Sequence, residues 1–115
     1  MRSIKPLWWL LFAAGGTVAA FVVPVHVALL GIALPAGLAP DAFAYDRMLA
    51  LVSHPLTRLY LFVAISLSLF HWAHRFLYTL AEGLHLKTAW LPLPVACYGS
   101  AIVGMVLTAI ILAGL

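Results

Sequence analysis

Long runs without a charged side chain alternate along this chain with short polar stretches. Asp, Glu, Lys and Arg are absent from 6–40, a run of 35 residues, from 59–74, a run of 16, and from 88–115, a run of 28. A helix that crosses a membrane needs about 20 largely apolar residues. The first and third runs suffice. The second falls short by about one turn at ~1.5 Å per residue, and it reaches the required length by continuing through Phe76, Leu77 and Leu80. That extension takes in Arg75, whose long side chain can reach a headgroup layer or a polar site. The pattern predicts an all-α membrane protein with three transmembrane helices, at about 7–35, 56–80 and 91–115.

The connections carry the remaining polarity. Between the first two helices lie Asp41, Asp46, Arg47 and His54. Asp41 follows Pro40 and reads as the N-cap of a short helix through Val52. Phe43, Asp46 and Arg47 against Met48, Leu51 and Val52 suit a helix lying at the membrane interface. The second connection, 81–90, is short and polar, so the second and third helices are expected to be antiparallel neighbours. No internal repeat is visible, and the chain reads as one three-helix domain over 1–115.

Composition narrows the class. Of 115 residues 66% are hydrophobic and 8% charged, with 6 basic and 3 acidic side chains, and the mean hydropathy is +1.15. Soluble domains carry about 25% charged residues, so a water-soluble globule is excluded, as are a disordered chain and a nucleic-acid binder. The single cysteine, Cys97, forms no internal disulfide and by itself holds no iron–sulfur cluster or zinc. The basic balance reports topology. With the N-terminus cytoplasmic, Arg2, Lys5, Arg75 and Lys87 lie inside against Arg47 and Arg58 outside, which places the C-terminus outside. Trp8, Trp9 and Trp90 suit an interfacial aromatic belt. A signal peptide ending near Ala42-Phe43-Ala44 is the competing reading of the first run, but that run far exceeds an h-region of about 7–15 residues.

Several residues inside the spans carry candidate chemistry, each beside a plainer alternative. Pro24 lacks an N–H and crowds the Ala20 carbonyl, so it predicts a kink, with packing geometry as the simple reason. Gly15, Gly16, Ala19 and Ala20 on the first helix, and Ala96, Ser100, Gly104 and Thr108 on the third, form small-residue stripes of the kind that let helices approach closely. They fit internal packing or a partner in the membrane. His71, His74, Arg75 and Tyr78 share one face of the second helix. Ionisable groups in a span are costly and are functional candidates; the alternative is a group of side chains snorkelling at the interface. His26 suits a haem ligand or a neutral histidine bonded to another helix. A bis-histidine haem needs a mate at equal depth, and His71, the only candidate, is placed nearer the membrane edge. The acidic residues Asp41, Asp46 and Glu82 are all placed in connections, so no span offers the buried acid that a cation-coupled exporter requires. Neither a phosphate loop nor a metal constellation is present, and catalysis by the chain alone is not expected.

Taken in order, the residues resemble a known family. Trp8-Trp9-Leu10-Leu11-Phe12-Ala13-Ala14-Gly15-Gly16, then Val23-Pro24-Val25, then Gly31-Ile32-Ala33-Leu34-Pro35-Ala36-Gly37-Leu38 resemble the first helix of the D subunit of bacterial quinol:fumarate reductase. Ala44-Tyr45-Asp46-Arg47-Met48-Leu49-Ala50 is similar to the segment that follows, His74-Arg75 to a His-Arg pair ending the second helix, and Tyr98-Gly99 falls where the third begins. No single motif is specific; the collinear set is.

The resemblance implies a membrane anchor in a complex of four different proteins. A flavoprotein reduces fumarate, an iron–sulfur protein carries electrons, and two small membrane subunits, C and D, hold them at the cytoplasmic face of the bacterial inner membrane. Menaquinone would be the shared cofactor, with menaquinol oxidised between the iron–sulfur protein and both anchors. Flavin and iron–sulfur clusters would belong to the partners, and no haem is expected. By the same resemblance Trp9, Gly15, Gly16, His74 and Arg75 would help to bind the quinone. Trp9 brings an indole donor and an apolar face, Arg75 a fixed donor fork, and His74 a group able to relay a proton. His71 and His26 stand where the family suggests less polar or thioether side chains, and Phe76-Leu77-Tyr78 lacks further histidines. Those departures keep a haem-bearing succinate dehydrogenase anchor as the second reading. A small transporter, a third, lacks its buried acid.

Overall fold

The computed structural model of the chain describes residues 3–88 and 90–115. Arg2, counted above among the inside charges, lies outside them. Among the described residues the structure is all-helical, and three helices are long and apolar enough to cross a membrane. Helix α1 (Lys5–His26) runs on without a break into a π-helical segment, Val27–Ala33. Helix α2 (Tyr45–Ser53) is short, α3 spans Pro55–Gly83 and α4 spans Pro92–Ala113. At 29 residues, α3 is about 43 Å long at ~1.5 Å per residue, more than the ~30 Å hydrocarbon core demands. The expected boundaries hold to within a few residues.

Local chemistry explains where the helices start and stop. A proline sits in the first turn of each spanning helix, where a missing N–H costs nothing. His54 caps α3, its Nδ1 accepting from the Leu56 amide at 3.2 Å. The first span closes with Leu38 N–H donating to Ala33 O and Gly37 N–H to Leu34 O, both at 3.0 Å. That is the Schellman pattern, and it needs a left-handed residue, here Gly37 at φ +72°. Helix α3 ends the same way: Leu86 donates to Ala81 O at 2.8 Å, with His85 at φ +54°.

Two expectations are corrected here. Asp41 does not cap a helix: it lies in successive tight turns after Ala39 (φ +48°), and Ala44 is extended at ψ 141°, so α2 starts only at Tyr45. Asp46 takes the first turn instead, where the positive helix end favours a carboxylate. Glu82 belongs to the last turn of α3, not to the connection, because the helix runs three residues past Leu80.

The widened segment starts at Val27, three residues after Pro24, and at its end Leu34 N–H reaches Leu29 O, five residues back, at 3.0 Å. With no N–H at Pro24 and its ring pressing on the preceding turn, the helix relaxes into wider bonding downstream.

Helix α3 is the centre of the bundle. It packs along α1 on one side and α4 on the other, and α2 rests against it. The α3–α4 seam is built from Ala73, Leu77 and Ala81 facing Leu93, Cys97 and Ala101, all buried. Small side chains set this seam because lipid, as apolar as leucine, gives helices no hydrophobic reason to associate; close backbone approach must do so. On the α4 stripe, a Cβ at Gly104 would meet Leu69 at 2.9 Å. Ala96 and Ser100 face outward, and the hydroxyls of Ser100 and Thr108 donate back to Ala96 O and Gly104 O of their own helix.

Candidate functional site

The polar residues of α3 gather where its last turns meet the start of α1. His71 points into α1 and donates from Nδ1 to the Phe12 carbonyl oxygen at 3.0 Å. Its ring stacks on the Phe12 ring at 4.4 Å and 16°. Gly15 and Gly16 make this approach possible. A Cβ at Gly15 would stand 2.3 Å from the Leu67 carbonyl oxygen, and one at Gly16 2.8 Å from His71 Cε1.

One turn further, His74 and Arg75 face a cavity of about 640 Å³, lined also by Lys5, Trp8, Trp9, Phe12 and Tyr78. Pockets for small organic ligands commonly fall between about 300 and 1,000 Å³. Aromatic faces form most of the wall. Phe12 lies 4.7 Å from the His74 ring and Trp9 lies 5.5 Å from Phe12, both tilted, while Tyr78 flanks His74 at 5.0 Å. Trp8 stacks on Phe70 at 5.4 Å and 17°, which fixes the back of the site to α3. Lys5 and Arg75 supply two positive groups, and no carboxylate is among the lining residues. His74 Nδ1 and Tyr98 Oη of α4 are hydrogen-bonded at 2.7 Å, so all three spanning helices contribute. Such a site can seat a flat ring between aromatic walls and offer donors to its oxygens.

The structure thus gathers Trp9, His74 and Arg75 at one cavity, at one end of the bundle. Gly15 and Gly16 stand apart from it, against Leu67 and His71. Lys5, Trp8, Phe12 and Tyr78 complete the lining; Lys5 and Phe12 stand four before and three after Trp9, on its helical period, a signal present in the sequence. No local signal points to Tyr98.

His26 behaves differently. Its Nδ1–H donates to Val22 O of its own helix at 2.9 Å, not to a neighbouring helix, and its ring stacks on Tyr60 at 5.8 Å. It lines a second cavity of about 670 Å³ with Val22, Val27, Leu30, Leu61 and Ser68, almost wholly apolar. Tyr60 and His71 are eleven residues apart on α3, roughly 16 Å along the axis, so the two imidazoles do not form a pair at one depth.

Bundle and cavity define the class first: a multi-pass membrane protein whose polar, aromatic site lies at one end of three spanning helices. The particular family follows from comparison. The family of fumarate reductase D subunits matches residues 1–113, and the chain belongs to it. The fumarate reductase D subunit of Mycobacterium tuberculosis is 45% identical over 103 residues, covering 90% of this chain and 82% of that protein. The D subunit of Mycobacterium bovis matches equally, and that of Shewanella putrefaciens is 38% identical over 111 residues, 95% of this chain and 89% of its own. The chain is therefore a membrane-anchor subunit of a fumarate reductase, and as such part of a larger complex.

Proposed function

We propose that this subunit attaches a flavoprotein and an iron–sulfur protein to the cytoplasmic membrane face, beside a second small membrane anchor, the C subunit. There it lends the Trp9–His74–Arg75 cavity to a menaquinol oxidation site. The observation that carries this reading is the convergence of Trp9, from the start of α1, and Arg75, from the end of α3, on one aromatic cavity. A quinol needs a stacking wall, donors to its two oxygens and a route for two protons. Trp8, Trp9, Phe12 and Tyr78 form the wall, while Arg75 and Lys5 hold donors and positive charge where negative charge develops as protons leave. Among the lining residues none is an acid, so the final proton acceptor belongs to another protein of the complex. The fit is to a flat ring held between aromatic side chains, with positive donors beside it.

The test is Arg75→Leu in the assembled complex. Quinol-driven fumarate reduction should fall by roughly tenfold or more, the worth of a charged hydrogen bond, while fumarate reduction by a soluble artificial donor stays near the parent rate. A tagged chain should bring a flavoprotein and an iron–sulfur protein with it from gentle detergent. Equal loss of both activities, or recovery of this chain alone, argues against the proposal.

A further inference from the structure

Tyr98 lies outside the cavity lining, yet it holds His74, the one histidine among the described residues that lines the cavity. From the geometry we infer that Tyr98 is a positioning residue: its phenol fixes His74 as a hydrogen-bond donor toward the bound quinol. This inference rests on the quinol-site reading above.

Tyr98 Oη and His74 Nδ1 are 2.7 Å apart, and neither group has another hydrogen-bond partner among the described residues. A half-buried phenol must place its proton somewhere, and Nδ1 is the acceptor within reach. If His74 donated instead, the phenolic proton would be stranded in apolar surroundings at the α3–α4 seam, beside Phe70. Tyr98 therefore donates and Nδ1 accepts. In a neutral imidazole that places the ring proton on Nε2. Nε2 has no partner among the described residues, nor is it one of the buried unpartnered atoms, so it is free to meet a ligand in the cavity that His74 lines. The ring is also packed against two others, Phe12 at 4.7 Å and Tyr78 at 5.0 Å, both tilted to it. His74 then presents N–H, not a bare lone pair. It grips a quinol oxygen without taking its proton, which leaves proton acceptance to a group outside this chain.

Two measurements on the whole complex test this. The first is nitrogen NMR of complex carrying ¹⁵N-histidine, with no quinol added and the His74 signal identified by its loss in His74→Gln. The expected state is a bare Nδ1 and a protonated Nε2, giving way to a mixture of tautomers in Tyr98→Phe. A protonated Nδ1 in the parent, or an unchanged ratio in Tyr98→Phe, overturns the inference.

The second is kinetic. Tyr98→Phe should raise the quinol KM about fivefold with kcat nearly unchanged, as loss of one ordered hydrogen bond requires. A glutamine at position 74 carries its own amide donor, so in the His74→Gln background the same change should matter by less than about twofold. An equal rise in both backgrounds means that Tyr98 acts only through packing and overturns the inference. Arg75→Leu separates the two levels. If it leaves quinol oxidation intact, the site reading fails; if it impairs oxidation while Tyr98→Phe does not, this inference alone fails.

Discussion

Gly16 lies against the imidazole of His71 so closely that a Cβ there would stand 2.8 Å from His71 Cε1 and 3.0 Å from Nδ1. The missing side chain is what admits His71 to the surface of α1, where its Nδ1–H reaches the Phe12 carbonyl. That bond and the stacked Phe12 ring tie α1 to α3 directly beside the cavity. Gly15, one residue earlier, performs the tighter task, since a methyl group there meets the Leu67 backbone oxygen.

Gly15→Ala should therefore destabilise the protein more than Gly16→Ala. Overpacking costs roughly 1–3 kcal/mol, against about 1 kcal/mol gained in helix propensity. A backbone oxygen cannot step aside, so Gly15→Ala parts the helices. The tip of His71 can swing, so Gly16→Ala forfeits chiefly the bond to Phe12, worth about 0.6 kcal/mol for an average interhelical pair. Thermal inactivation of the purified complex gives the order, and the reverse order would contradict this packing.

Trp9 should act through both its ring and its N–H. Trp9→Phe keeps an aromatic wall and is expected to raise the quinol KM a few-fold. Trp9→Leu removes the wall as well and should raise it about tenfold, or about 1.4 kcal/mol. Steady-state kinetics with a soluble quinol analogue decides, and equal values for the two variants would show that the ring face plays no part.

Ser66 is buried at 6% exposure on α3, and its hydroxyl has no hydrogen-bond partner among the described residues. An unsatisfied buried hydroxyl costs about 1–3 kcal/mol. Ser66→Ala should leave quinol oxidation unchanged and raise the apparent melting temperature of the complex. A fall would mean that a partner group satisfies the hydroxyl in the assembly.

His26 lies 17 residues from Trp9 along the first span, roughly 25 Å at ~1.5 Å per residue. His26→Phe preserves the stack on Tyr60 and gives up only a bond to its own helix, so stability should change by about 0.5 kcal/mol or less. A reduced-minus-oxidised spectrum of the complex should be the same before and after the change. A haem signal that vanishes with His26→Phe would move the protein to the haem-bearing reading.

The sequence by itself determined what depends on one dimension. Three spans follow from the length of uncharged runs, because apolar length is a local property; the prolines that open each span and the Gly37 turn that closes the first sharpen those bounds in the structure. The face shared by His71, His74 and Arg75 was legible too, since helical periodicity sets it. Only the tertiary structure decided that His71 turns into α1 while His74 and Arg75 turn to the cavity, that Gly15 and Gly16 serve packing beside the site, and that Tyr98 reaches His74 across 24 residues. Burial cannot be read from hydrophobicity here, because lipid and protein interior are equally apolar. Which side of each helix meets its neighbour is settled by shape and register alone, through contacts such as Gly15 on Leu67 and Gly104 on Leu69.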